Sequence, residues 1–513
     1  MPVPASVLRY GRRWSNEKTK GLTTLSTRIA SVSGISLILL FNLNTQSHAR
    51  QDTGRGDWRE TRYGLLKGNQ VGTVFYNFGE FGDWMNFPWE SFDWPTGSGH
   101  FYIDGTAFMI QARAVTLTGR AIHPLETNYF EYVRYDPLTL LRYGWYPLAG
   151  YARAGQKSVA ASNDSTTWPA HWPDKPADWD GYWNGYFGKG VRTGLTETYF
   201  VMDDNSDKGY IGVFHSDSLD TTRGGLGVKV RVRALEWSAP QLQDILFVSF
   251  TISNEGTTSY DSMYAAEYVD YAIGGHDNSS NNFATYHSSS GLFIAHSSTS
   301  VGLPGNWSPV GVLGIAWLGT PDSIGLNGVQ TFTVHAYELD NDELNWTAIS
   351  SRAVVLRNTT NTNAACYLSS GPFTLAAGHE QQVVLAYVFA NDTAGLLVKA
   401  DFARQFYKAG FDTKILGVID RNNGSPGKFL LEQNFPNPFN PTTLIRYTLS
   451  ARSHVTLSVF TTLGQQVATL VNTIQDSGCH DVRFDASGLA SGVYFYRILA
   501  GDFVQTRKLV ILR

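Results

Sequence analysis

The stretch "LGVKVRVRALEW", Leu226 to Trp237, alternates Val228, Val230, Val232 and Ala234 with Lys229, Arg231 and Arg233. Successive side chains of an extended strand point to opposite faces, so a period of two describes a strand with one face buried. "DILFVSFTISNEG" and "MYAAEYVDYAIGG" follow directly, and "GVLGIAWLG", "QTFTVHAYEL" and "QQVVLAYVFAN" come later, most of them ended by Gly or Asn. Strands separated by turns, with little helical periodicity between them, predict an all-β chain whose body is a large antiparallel β-sandwich. One closing helix is expected in "DTAGLLVKADFARQFYKAG": Leu396, Ala400, Ala403 and Tyr407 share a face, Asp392 caps the start and Gly410 the end.

Composition agrees with this class and narrows the partners. Charged residues make up 16% of the 513, against about 25% in typical soluble domains. The formal net charge is −4, but Arg50 to Gly427 holds 26 basic and 38 acidic residues. An acidic body with no basic stripe excludes nucleic acid as a partner. The two cysteines, Cys366 and Cys479, lie in different predicted domains and form neither a disulfide framework nor a metal-ligand pair.

Residues 1–49 read as a signal peptide. Six Lys and Arg precede the apolar run "IASVSGISLILLFNL", and Ser47 and Ala49 supply the small residues before a cut at Arg50. The body is expected over 50–420, and "RNNGSPGK", 421–428, is a linker by its Asn, Gly, Ser and Pro.

From Phe429 onward, strand-length runs ("TLIRYTL", "HVTLSVF", "DVRFDAS", "GVYFYRILA", "TRKLVILR") alternate with short turns, which suits a small immunoglobulin-like β-sandwich. "FPNPFNP" then serves as the extended lead-in to its first strand, since proline is tolerated at a sheet edge. In "LEQNFPNPFNPTT", "VFTTLGQQVATLV", "SGLASGVYFYRI" and "TRKLVIL" this segment, 429–513, resembles the C-terminal sorting domain of proteins exported by the type IX secretion system of Bacteroidetes-like bacteria. Asn437, Pro438, Gly464, Gly492, Tyr494 and Lys508 carry the motif; Thr461 and Thr462 stand where relatives often have Asp or Asn. The resemblance implies passage to the periplasm, then through the outer membrane by the type IX machinery, and a cargo left on surface lipopolysaccharide or released. The body resembles uncharacterised surface cargo of such bacteria in "WNGYFGKG", "ETYFVMDDN" and "GPFTLAAGHEQQVVLAYVFAND", which brings no activity with it.

Two constellations in the body suggest chemistry. "VMDDNSDKGY" offers Asp203, Asn205 and Asp207 at alternating positions as candidate calcium ligands, although Gly209 and Phe214 depart from the EF-hand pattern; the alternative is an Asx-rich turn. Asp340, Asp342 and Glu343 form a weaker cluster of the same kind. Trp168, Trp172, Trp179 and Trp183, set among prolines, form either a platform for glycans or a small core folded over the sandwich. "RGD" at Arg55 to Asp57 is too short a match to argue adhesion. No nucleophile elbow, zinc-protease motif or phosphate loop is present, and calcium is the sole cofactor suggested. The expected function is a secreted or surface, non-catalytic β-sandwich with a structural or adhesive role, with glycan binding or polysaccharide cleavage as the alternative.

Overall fold

The computed structural model describes residues 54–86, 91–129, 144–192, 194, 196–334, 341–357, 363–413, 430–431, 433–434, 437–449, 452–475, 478–501 and 503–512. Residues 1–49, read as a signal peptide, residues 421–428, read as a linker, and Asp340 lie outside them. Among the described residues no helix is long and apolar enough to cross a membrane.

Two large sheets face each other in the body. The first runs Tyr63–Leu66, Thr73–Tyr76, Glu80–Phe81, Ile103–Ala112, Tyr260–Tyr271, Ala364–Leu375, Gly328–Thr333 and Val354–Val355, and is antiparallel except at its last pair. The second runs Asn282–His287, Leu292–Ser297, Val312–Gly319, Glu380–Ala390, Ile245–Asn254, Val228–Glu236, Thr196–Asp203 and Tyr146–Pro147. The alternation in Val228–Glu236 is realised directly: Val228, Val230, Val232 and Ala234 are fully buried in the core between the sheets. Phe108 of the first sheet stacks on Phe250 of the second with ring centroids 3.8 Å apart.

Both sheets are also covered outside, which explains strands that read as continuous apolar runs. Helix α2, Thr393–Lys408, lies on Val384, Ala386 and Val388 of the second sheet through Leu396, Ala400, Ala403 and Phe406. Tyr407, expected on that face, is half-buried beside it. Asp392 accepts the Gly395 N–H at 2.7 Å, and Gly410 follows the last turn at φ +67°, as the expected caps require. A second helix, α1, Asp342–Ile349, was not foreseen and covers part of the first sheet through Ala348 and Ile349. Its signal was the acidic cluster itself. Asn341 caps Leu344 N–H at 3.0 Å, and Asp342 and Glu343 fill the first turn, where carboxylates favour the positive end of the helix.

The tail has its own two small sheets. Leu430–Leu431, Thr442–Leu449 and Gly478–Asp485 form one; Gln466–Gln475, Ser453–Thr461, Gly492–Ala500 and Phe503–Ile511 form the other. Ile445, Tyr447, Val455, Leu457, Val459, Tyr496, Ile498 and Leu509 fill the space between them. Cys366 is an unbridged thiol, fully buried in the body, whose pKa burial pushes well up; the Cys479 side chain lies outside the described residues.

Candidate functional site

The tryptophan-rich loop folds inward. Trp183 is fully buried, Trp172 and Trp168 nearly so, and Trp179 half-buried, against Tyr151, Tyr199 and Val201. Trp172 meets Trp183 edge-on at 5.6 Å, and Trp168 lies 5.6 Å from it. The three most buried indoles each donate an N–H: Trp168 to Ala161 O at 2.7 Å, Trp172 to Tyr182 O at 2.9 Å, and Trp183 to Glu197 Oε2 at 2.9 Å. The Arg192 guanidinium lies 5.0 Å from the centre of the Trp168 ring, and Lys175 Nζ lies 4.9 Å from that of Trp179. The rings therefore hold the loop together as a small core.

That core builds one wall of a polar cleft of about 320 Å³. Asp174, Lys175 and Tyr186 enter it from the loop, and Tyr199 from the neighbouring strand. Its floor is the outer face of the second sheet. Arg231 stands opposite Thr251, and Arg233 opposite Ser249, while Glu380 opens the next strand. The sequence signal for this floor was the polar half of the "VKVRVRALEW" alternation, which specifies a face of the strand but not the cleft above it.

Most of the cleft's charges are matched internally. Arg233 donates to Glu197 Oε1 at 2.5 Å and to Asn184 O at 2.6 Å, and its guanidinium stacks 3.9 Å from the Tyr199 ring centroid. Burial pushes the Glu197 carboxyl up, and Arg233 opposes the shift. Both Asp174 oxygens accept hydrogen bonds, from Tyr199 Oη at 2.6 Å and from Asn184 Nδ2 at 3.1 Å. Burial, then the Asp174 charge, raise the Tyr199 phenol well above its usual range. Arg231 pairs with Glu380.

The structure brings Asp203, Asp204, Asn205 and Asp207 together as a buried corner tied largely by main-chain N–H groups. Asp203 Oδ1 accepts from Gly56 at 2.9 Å, Asp204 accepts from Leu226 at 2.7 Å and Val228 at 3.0 Å, and Asp207 accepts from Gly144 at 2.7 Å and Gly209 at 2.6 Å. Burial raises Asp203 to about 7 and Asp204 well above its usual range, and the nearby Arg223 guanidinium opposes both shifts. Arg223 itself is 9% exposed. Its ion pair is with Glu255, at 3.6 Å. Among the described residues no group of three or more His, Cys, Asp or Glu side chains is arranged to hold a metal ion. The tripeptide Arg55 to Asp57 is part of the same corner: Arg55 pairs with Asp220 at 2.6 Å, and Ser206 Oγ donates to Gly56 O at 2.7 Å.

In the tail, Asn437 to Phe439 of the proline-rich lead-in lie along the outer edge of Phe503–Ile511. Asn437 Oδ1 accepts the Val510 N–H at 2.8 Å, and Asn437 Nδ2 donates to Lys508 O at 3.2 Å. Phe439 N–H donates to Val510 O and Leu512 N–H to Phe439 O, both at 3.0 Å. Pro438 sits between these two anchors, exposed and with no N–H to satisfy. Tyr494 Oη reaches back to Ala490 O at 3.1 Å, and Lys508 pairs with Phe495, the residue after Tyr494. Gly492 opens that strand. Gly464 lies apart, in the hairpin turn closed by Thr461 N–H to Gln465 O at 2.8 Å, at φ +81°. Thr461 and Thr462 leave that turn intact.

Residues 433–512 match the family described as the secretion system C-terminal sorting domain. No curated protein matches the chain. Among solved structures it is similar to a polysaccharide lyase at 11% identity, over 55% of this chain and 34% of that one, with a TM-score of 0.22. It is similar to the adhesin domain of Epf from Streptococcus pyogenes at 10% identity, over 62% and 92%, with a TM-score of 0.13. A third likeness, 8% identity over 79% and 45% with a TM-score of 0.13, is to PorZ, a surface component of the type IX secretion system of Porphyromonas gingivalis. The chain spans about a third of the lyase's length, and likenesses this remote carry no argument. The sorting domain at 433–512 makes this chain a cargo of the type IX secretion system, exported to the cell surface or released.

Proposed function

We propose that the exported body, residues 50–420, is a non-catalytic β-sandwich of the cell surface with a structural or adhesive role. The linker 421–428 would join it to the sorting segment 429–513. What supports this reading most is the state of the cleft's carboxylates. Both Asp174 oxygens are hydrogen-bonded and Glu380 is paired with Arg231 through Oε2, so the cleft presents one open carboxylate oxygen, Glu380 Oε1, where glycosidic cleavage uses two facing carboxyl groups. Glu236 and Glu267, the carboxyls raised to about 8, are buried in strands of the body and do not line the cleft. The test has two readings from one preparation of the mature chain. Beads coated with it adhere to host or biofilm matrix, and incubation with xylan, mannan and pectin releases no reducing ends or unsaturated products. Product release would replace this reading with a polysaccharide-active enzyme.

A further inference from the structure

We infer that the cleft between the tryptophan loop and the outer face of the second sheet binds a single neutral, hydroxyl-rich sugar unit. The inference rests on the adhesive reading for its biological role and on the cleft alone for its chemistry. Size comes first: about 320 Å³ falls at the lower end of the roughly 300 to 1,000 Å³ typical of small-molecule sites.

Charge then selects the class. Arg233 pairs with Glu197 at 2.5 Å, Arg231 with Glu380, and Lys175 lies 3.8 Å from Asp174. Three cations are matched by three carboxylates, so the cleft offers neither an anion nor a cation a net attraction. A phosphate or uronate would meet the free Arg231 donors only beside the Glu380 and Asp174 carboxylates, whose repulsion offsets the gain.

Residual hydrogen-bonding capacity decides the rest. Arg231 uses Nη2 for Glu380, which leaves Nε and Nη1 as donors. Glu380 engages Oε2, leaving Oε1 as an acceptor, and the Thr251 and Tyr186 hydroxyls both donate and accept. Interleaved donors and acceptors on a rigid sheet suit a ligand whose every group does both, which is the property of sugar hydroxyls. The floor is preorganised because its strands are locked in register by the core beneath them.

The test is isothermal titration of the mature chain with the methyl glycosides of glucose, galactose, mannose and N-acetylglucosamine, and with polygalacturonate as the anionic arm. At least one neutral glycoside should bind saturably, and Thr251→Val and Glu380→Gln should each weaken it tenfold or more at an unchanged melting temperature. The inference is overturned if no neutral glycoside binds, if only polygalacturonate binds, or if both variants bind as the parent does. Beads that adhere while no glycoside binds remove the cleft assignment and leave the adhesive reading. Glycoside binding without bead adhesion does the reverse.

Discussion

The side-chain amide of Asn437 acts as a strand residue toward Val510: its Oδ1 takes the Val510 N–H at 2.8 Å while its Nδ2 donates to the carbonyl of Lys508 at 3.2 Å. One carboxamide thereby satisfies a donor and an acceptor on the edge of the last strand. An unsatisfied edge invites pairing with other chains, so this clip keeps the sorting segment a closed unit.

Asn437→Ala removes both bonds, each worth about 0.5 to 1.5 kcal/mol net. The tail should lose about 1 to 3 kcal/mol and export should fall, read as mature chain accumulating in the periplasm. Deleting Thr506 to Arg513 removes most of the strand Phe503–Ile511 and should abolish export. Normal surface levels of the truncated chain would show that the address lies elsewhere.

Trp183→Ala should destabilise the body by about 3 to 5 kcal/mol, the usual cost of truncating a fully buried aromatic. It also strips Glu197 of the indole N–H it accepts at 2.9 Å. Trp179, half-buried at the rim, should cost about 1 kcal/mol or less as Ala. Denaturant midpoints for the two variants measure the contrast, and equal midpoints would mean the rings are not packed as a core.

Chelation should leave the melting temperature unchanged, since main-chain N–H groups engage one oxygen of Asp203 and both oxygens of Asp204 and Asp207. Arg223→Met should lower it only modestly, a loss of about 1 kcal/mol or less, because the Arg223 partner Glu255 is part-exposed and keeps Lys229 at 2.6 Å. A fall with chelator that calcium reverses would establish Asp203, Asn205 and Asp207 as ligands.

Burial raises Glu267 to about 8 from 4.5, with Tyr387 Oη donating to its Oε1 at 2.7 Å, and raises Glu236 to about 8. Between these limits the folded chain holds protons that the unfolded chain has lost, so stability falls as pH rises. The contribution is complete below about pH 4.5 and lost through about pH 8. Thermal melts from pH 5 to 8.5 should show a declining midpoint. Glu267→Gln, which cannot ionise, should flatten part of the decline; an unchanged slope would mean Glu267 does not titrate in that range.

Much of this protein is written locally. The alternation at Val228 to Ala234 specifies a strand and its buried face because side-chain direction follows from backbone geometry alone, and the caps Asp392 and Gly410 mark the ends of a helix by the same local rules. The motif from Asn437 to Lys508 identifies the export route, since a sorting signal must be readable in many cargoes. Non-local facts needed the fold. Whether tryptophans in a proline-rich loop face in or out depends on what lies beneath them, and Trp183 turns inward because Glu197, from a separate strand, accepts its N–H. Asp203 and its neighbours meet Arg223 and the main chain of Gly56 and Gly144 only when distant segments converge. The cleft likewise joins Asp174, Arg231 and Glu380 across three parts of the chain, a closeness that no spacing along the sequence encodes because register between strands is set by the packing of the whole core.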